Sequence, residues 1–177
     1  MAFLKKCAAG YNAGKGKLDD GVAGAIRQAA TEICKGEIDF DKNLLLVVFQ
    51  TGSGTQTNMN VSEVLSNRAI QILGGKVGSK DPVHPNNHYK LGQSSNDSIP
   101  TAMHTAAVEE FTRELMLQIR RLHEALDDKS GEFSSVINIG RTHCQDATPV
   151  TLGQVFSGYS TQLENSIRRV EGLLRSL

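Results

Sequence analysis

Thr148-Pro149-Val150-Thr151-Leu152-Gly153-Gln154-Val155-Phe156 opens the stretch that decides the fold class. From Leu152 on, Phe156, Tyr159, Leu163, Ile167, Val170, Leu174 and Leu177 recur at spacings of three and four, the period of one helix face. Thr148 is placed to cap this helix and Pro149 to take its first position, where a missing N–H costs nothing. At 1.5 Å per residue the helix would be about 45 Å long. One apolar stripe of that length needs partner helices. The stripe meets no stop signal, so the chain reads as cut in mid-helix.

A second long helix is expected from Asp97 to Asp128, with Ile99, Met103, Ala107, Phe111, Leu115, Ile119, Leu122 and Leu126 as its stripe and Pro100 in its first turn. Residues 129–147 read as an irregular return. Upstream, residues 2–12 read as a helix with Phe3, Leu4, Cys7, Ala8 and Tyr11 on one face. A helix capped by Asp19 runs to Lys35, with Val22, Ile26, Ala29, Ala30 and Ile33 at helical spacing and Gly36 as its stop. Another runs from about Asn60 to Leu73, ended by Gly74-Gly75. The apolar run Leu44 to Phe49 reads as a short strand or buried extended piece that anchors the polar loop after it. Residues 74–96 read as loop and domain boundary. The expected fold is all-α: a small helical N-terminal domain over 1–93, and long antiparallel helices that open a central bundle over 94–177.

The formal net charge of zero gives no basis for binding nucleic acid or an anionic membrane surface. No apolar run is long enough to span a bilayer. Cys7, Cys34 and Cys144 are odd in number and far apart, and residues 1–6 are no signal peptide. Together these predict free thiols in a reducing, cytoplasmic setting.

Three stretches are rich in hydroxyls and amides. They are Thr51-Gly52-Ser53-Gly54-Thr55-Gln56-Thr57-Asn58-Met59-Asn60, then Gly92-Gln93-Ser94-Ser95-Asn96-Asp97, then Gly140-Arg141-Thr142-His143-Cys144-Gln145-Asp146-Ala147-Thr148-Pro149. Neutral hydroxyl, amide and backbone donors hold anions without adding formal charge, and a helix start after the second stretch adds its own attraction. A histidine can shuttle a proton or orient water. Each stretch alone also reads as an ordinary helix cap or turn, and His143 alone as a structural histidine. His84 and His88 stand four apart, but Pro85 and two asparagines argue against a helix, and no acidic or thiol cluster accompanies them. No metal site is expected.

The joint wording is more specific. Phe49 to Asn60 resembles the first signature region of class II fumarases, in the fumarase/aspartase superfamily. Val83 to Asn86, Gln93 to Asp97 and Pro100 to His104 resemble the middle region. Gly140 to His143, with Gln145 to Pro149 and Leu152 to Gln154, resembles the region around the catalytic histidine. The matches come in family order from about residue 44 onward.

The resemblance implies a hydro-lyase that interconverts fumarate and malate, a step of the tricarboxylic acid cycle, without metal or organic cofactor. It implies that Ser53, Gly54, Thr55, Ser94, Ser95, Asn96 and Thr142 bind substrate carboxylate. His143 would orient, or exchange a proton with, the water that adds. His84, Pro85, Asn86 and Asn87 match the family's second dicarboxylate site, although Asn87 stands where Asp is usual. It further implies a homotetramer built through the central bundle. The family's catalytic serine lies on a glycine-rich loop, Gly-Ser-Ser-x-Met-Pro, and these 177 residues contain no such segment. The chain thus resembles a fragment lacking the family's C-terminal part and extreme N-terminus, inactive by itself. Aspartate ammonia-lyase is the alternative within the superfamily. An inert helical scaffold is the alternative outside enzymology.

Overall fold

The structure, a computed structural model, describes residues 1–176, so Leu177 of the C-terminal stripe lies outside the described residues. The fold is mostly helical, as expected, with one two-stranded sheet among the described residues. It divides into two compact units, Met1–Met103 and His104–Leu177.

The first unit is built on helices α1 (Ala2–Gly14), α2 (Asp20–Cys34), the single turn α3 (Phe40–Asn43) and α4 (Thr55–Ile72), followed by the first half of α5 (Ser95–Glu110). The α2 helix starts where its cap dictates: the Asp19 carboxylate accepts the Val22 N–H at 3.0 Å. Its buried face is Ala23, Ala25, Ile26, Ala29, Ala30 and Ile33. So many alanines let neighbouring helices approach closely, and Leu65, Ala69 and Ile70 of α4 complete the core. The loop after α4 is held to it by two buried bonds. Ser66 Oγ donates to the Val83 carbonyl at 2.8 Å, and Tyr89 Oη to the Leu65 carbonyl at 2.8 Å. Burial of the Tyr89 ring pushes its phenol pKa up.

Two expectations about what this unit buries fail. The buried side of α1 is Ala2, Lys5, Ala9 and Asn12, whereas Phe3 and Tyr11 are exposed. The interior side takes alanines, Asn12 and the slender Lys5 chain rather than aromatic rings, because α1 packs closely on α2. The run at 44–49 is neither a strand nor a core anchor. Leu44 touches the core, but Val48 is 92% and Phe49 96% exposed.

In the second unit α5 continues through a π-helical turn (Phe111–Leu115) into α6 (Met116–Glu132). An antiparallel hairpin of β1 (Ile137–Thr142) and β2 (Gln145–Thr151) leads to α7 (Leu152–Leu174). Residues 129–147 are therefore not an irregular return. Nor does α7 open at Thr148 and Pro149, which lie within β2, Pro149 opposite Ile139. A two-stranded sheet leaves one side of each strand unpaired, which tolerates a proline. The cap is Thr151, whose Oγ1 accepts the Gln154 N–H at 3.1 Å while Gln154 Oε1 accepts the Thr151 N–H at 2.9 Å. This reciprocal pair satisfies two donors at once, which Thr148 could not do. The long antiparallel helix pair is present as α6 and α7. Ser130 Oγ donates to the Gly153 carbonyl, Ser160 Oγ to Asp127, and Arg120 pairs with Glu171, so α7 ascends as α6 descends.

Leu65 is fully buried between α2 and α4. Leu65→Ala is expected to lower stability by about 2–5 kcal/mol, and Thr151→Ala by about 1 kcal/mol, both read from urea unfolding curves.

Candidate active site

The polar stretch at 51–60 is not a loop ahead of a helix at Asn60. The α4 helix begins five residues earlier, at Thr55, with Gly54 as its cap in the left-handed region at φ 71°. No side chain caps it, so the first N–H groups of α4 face away from the helix body without an internal partner. The α5 helix likewise opens earlier than Asp97. The Ser94 carbonyl accepts the Ser98 N–H at 2.9 Å, and Ser95 is the first helical residue. Pro100 therefore stands beyond the first turn, where it cannot donate to the Asn96 carbonyl.

These two helix starts meet. A Cβ on Gly54 would lie 2.6 Å from Ile99 Cγ2. Across this approach Thr55 Oγ1 and Ser95 Oγ are 3.2 Å apart, and a chain of hydroxyls extends from Thr55 to Ser53 (3.4 Å) and on to Thr51 (3.3 Å). The structure thus brings together Ser53, Gly54, Thr55 and Ser95, with Ser94 and Asn96 flanking Ser95. Ser95 and Asn58 are buried, and Asn58 Oδ1 has no hydrogen-bond partner. Gln50 links the first turns of α4 to the segment before them: it accepts from Thr57 Oγ1 at 3.1 Å and donates to the Val47 carbonyl at 2.7 Å. The sequence marked Thr51 among the hydroxyl-rich residues but gave Gln50 no role, because its bond to Thr57 becomes visible only once α4 starts at Thr55.

Thr142 and His143 belong to the second unit. His143 and Cys144 form the hairpin turn, with φ values of 50° and 58°. Two central residues at positive φ make a type I′ turn. Its usual signature is Asn-Gly, so His-Cys gave no sequence signal. His143 is exposed at the tip. A bulge lies between Ile139 and Arg141, where a Cβ on Gly140 would come 2.7 Å from the Thr148 carbonyl.

The segment His84 to Asn87 is folded on itself. His84 Nδ1 accepts the N–H groups of Asn86 (3.2 Å) and Asn87 (3.3 Å), and His88 Nδ1 accepts the His84 N–H at 2.9 Å. Burial, and secondarily the neighbouring His84, hold His88 below the usual histidine pKa. A cavity of about 700 Å³ lined by Glu32, Asp39, Arg68 and their neighbours contains none of these candidate residues. Among the described residues no group of three or more His, Cys, Asp or Glu side chains could hold a metal ion. No described helix is long and apolar enough to cross a membrane.

The family model described as Lyase matches residues 1–177. The chain belongs to this lyase family. Among its relatives, the class II fumarate hydratase of Rhizobium meliloti is 51% identical over 177 residues, which are 100% of this chain and 38% of that protein. The mitochondrial fumarate hydratase of Saccharomyces cerevisiae is 56% identical over 100% of this chain and 36% of its own length. The solved structure of a class II fumarase from Schistosoma mansoni superposes with a TM-score of 0.90 at 43% identity, over 98% of this chain and 36% of that one. The lyase chain described here thus spans well under half the length of the relatives it matches.

Gly54→Ala would force a side chain into both a left-handed backbone and the Ile99 contact. The expected loss is about 1–3 kcal/mol, with the Thr55–Ser95 contact broken, read by thermal unfolding and by the backbone amide signals of Ser95 and Asn96. The His88 prediction concerns pH. Its folded pKa is lower than its unfolded value, so the unfolded chain binds more protons and stability falls as pH drops below about 6.5. A fall in the hydrogen-exchange protection of the His84 amide relative to its intrinsic rate between pH 6.5 and pH 5, absent in His88→Gln, is the expected signature.

Proposed function

We propose that this chain contributes the carboxylate-binding wall and the water-handling histidine of an enzyme that hydrates fumarate reversibly to malate. The observation that carries the proposal is the 51–56% identity, over all 177 residues, with proteins described as fumarate hydratases. The meeting of two helix starts at Thr55 and Ser95 supports it chemically. Adding water across the double bond puts OH on one carbon and H on the other, and the reverse step removes a proton next to a carboxylate. That carboxylate gains charge as the proton leaves. Preorganised neutral donors beside helix N-termini stabilise such charge without reorganising. In this reading Ser53, Gly54, Thr55, Ser94, Ser95, Asn96 and Thr142 bind carboxylate oxygens, and His143 orients the water or exchanges its proton. His84 to Asn87 form a second dicarboxylate site, for which the internal use of His84 Nδ1 leaves Nε2 as the available ring donor.

Residues 1–93 then belong to the N-terminal lyase domain, and residues 94–177 to the opening of the central bundle. Met103, Leu115, Leu122 and Leu173 are exposed apolar residues on the long helices, and a homotetramer built through those helices would cover them. The compartment is cytoplasmic in this reading and the step is that of the tricarboxylic acid cycle. The yeast relative is described as mitochondrial.

The decisive experiment replaces the matching 36% of the yeast relative with these residues and follows loss of fumarate's ultraviolet absorbance. The chimera is expected to turn over malate and fumarate, and His143→Ala to lower kcat by about a hundredfold or more. Conversion of aspartate but not malate would replace the proposal with the ammonia-lyase, and no turnover of either would favour an inert scaffold. The 177 residues alone are expected to associate in light scattering and to show no appreciable turnover, because the serine-bearing loop is not among them.

A further inference from the structure

The one buried lysine among the described residues is Lys5, only 1% exposed, on a face of α1 that is otherwise alanine and asparagine. Its Nζ donates to Gln93 Oε1 at 3.0 Å, and Gln93 Nε2 donates to the Tyr89 carbonyl at 2.9 Å. Two turns of helix further on, Asn12 Nδ2 donates to the Leu91 carbonyl at 3.1 Å. The buried face of α1 thus grips the loop that runs directly into Ser94 and Ser95.

No described carboxylate forms an ion pair with Lys5. The charges that face it are the Met1 amino group on its own helix and Lys90 on the loop, both cationic. Burial, and secondarily Lys90, push the Lys5 pKa down to about 8. A buried ammonium beside another cation, holding a single neutral amide, is poorly repaid by the fold itself. Methionine would fill the same space without that cost. The placement makes sense when an anion completes it.

We propose that Lys5 is a positioning residue of the carboxylate site at the start of α5: it fixes Gln93, and through it the Ser94–Ser95–Asn96 turn, and supplies a fixed positive charge beneath a bound dicarboxylate. This rests on the carboxylate-binding role given above to Ser94, Ser95 and Asn96. Linkage provides a test that a purely structural lysine fails. If a bound dianion favours the ammonium form, the ammonium form must bind the dianion more tightly by the same factor.

The probe is succinate, added to the 177-residue chain while the Lys5 ε-carbon and the Ser95 and Asn96 amides are followed by NMR across pH. Succinate is expected to move both amides and to raise the Lys5 midpoint by about one pH unit, equivalent to about tenfold tighter binding by the protonated form. Lys5→Met should lose about that factor in affinity at pH 7, whereas Lys5→Arg, which keeps the charge, should retain most of it. Amides that move while the Lys5 midpoint stays fixed would overturn the role of Lys5 and leave the site intact. Amides that do not move would overturn both. The wild-type titration decides the matter even where Lys5→Met fails to fold.

Discussion

The first unit's candidate site depends on one steric fact: Gly54 has no side chain. With any Cβ there, the start of α4 could not rest on Ile99, and Thr55 and Ser95 could not come within 3.2 Å. The same residue adopts φ 71°, which an L side chain resists. Closeness and handedness therefore select glycine independently. What this secures is an electrostatic arrangement. Two helix N-termini, each with first-turn N–H groups that lack an intrahelical partner, lie next to each other, with the Thr55 and Ser95 hydroxyls in contact between them. None of the hydroxyl, amide and backbone donors at these two helix starts is charged, so the carboxylate binding proposed above would not carry the desolvation cost of a cluster of cations.

Behind the site, the architecture is a set of tight contacts that fix it in place. Alanines on α2 bring α1 and α4 close, and α4 in turn holds the 83–93 loop through Ser66 and Tyr89. That loop delivers Ser94 to the head of α5. Each link is a buried bond or a close-packed face, so its geometry is stiff. The 44–49 run shows the contrast. It precedes the hydroxyl chain but is secured by little beyond Leu44 and the Gln50 amide.

Helix class was legible because stripes of three and four are a direct consequence of helix geometry. Asp19 was legible as a cap for a similarly local reason. What escaped notice were features decided by partners far along the chain. Phe3 and Tyr11 formed a plausible apolar face, yet the interior needed the thinner side with Ala2 and Ala9. Leu44 to Phe49 looked like core by composition, and nothing local marks it as exposed. The β1–β2 hairpin was hidden because its turn is His-Cys, and Thr148-Pro149 imitated a helix start that Thr151 and Gln154 make better. The hydroxyl residues themselves stood out in the sequence, but which of them touch followed only from the early starts of α4 and α5.

That hidden turn also bears on His143. A type I′ turn favours residues that adopt positive φ cheaply, such as Asn and Gly. Here both central positions carry side chains that pay for that conformation, with His143 at 50° and Cys144 at 58°. A hairpin selected only for stability would carry Asn-Gly. Departures from the locally favoured residue gather where a side chain is required for another purpose. The turn holds an imidazole at an exposed tip on a backbone that antiparallel pairing keeps in register. The bulge between Ile139 and Arg141 adds local twist just before the tip. Strain and exposure meet at one residue, and that residue is the histidine proposed above to handle the water.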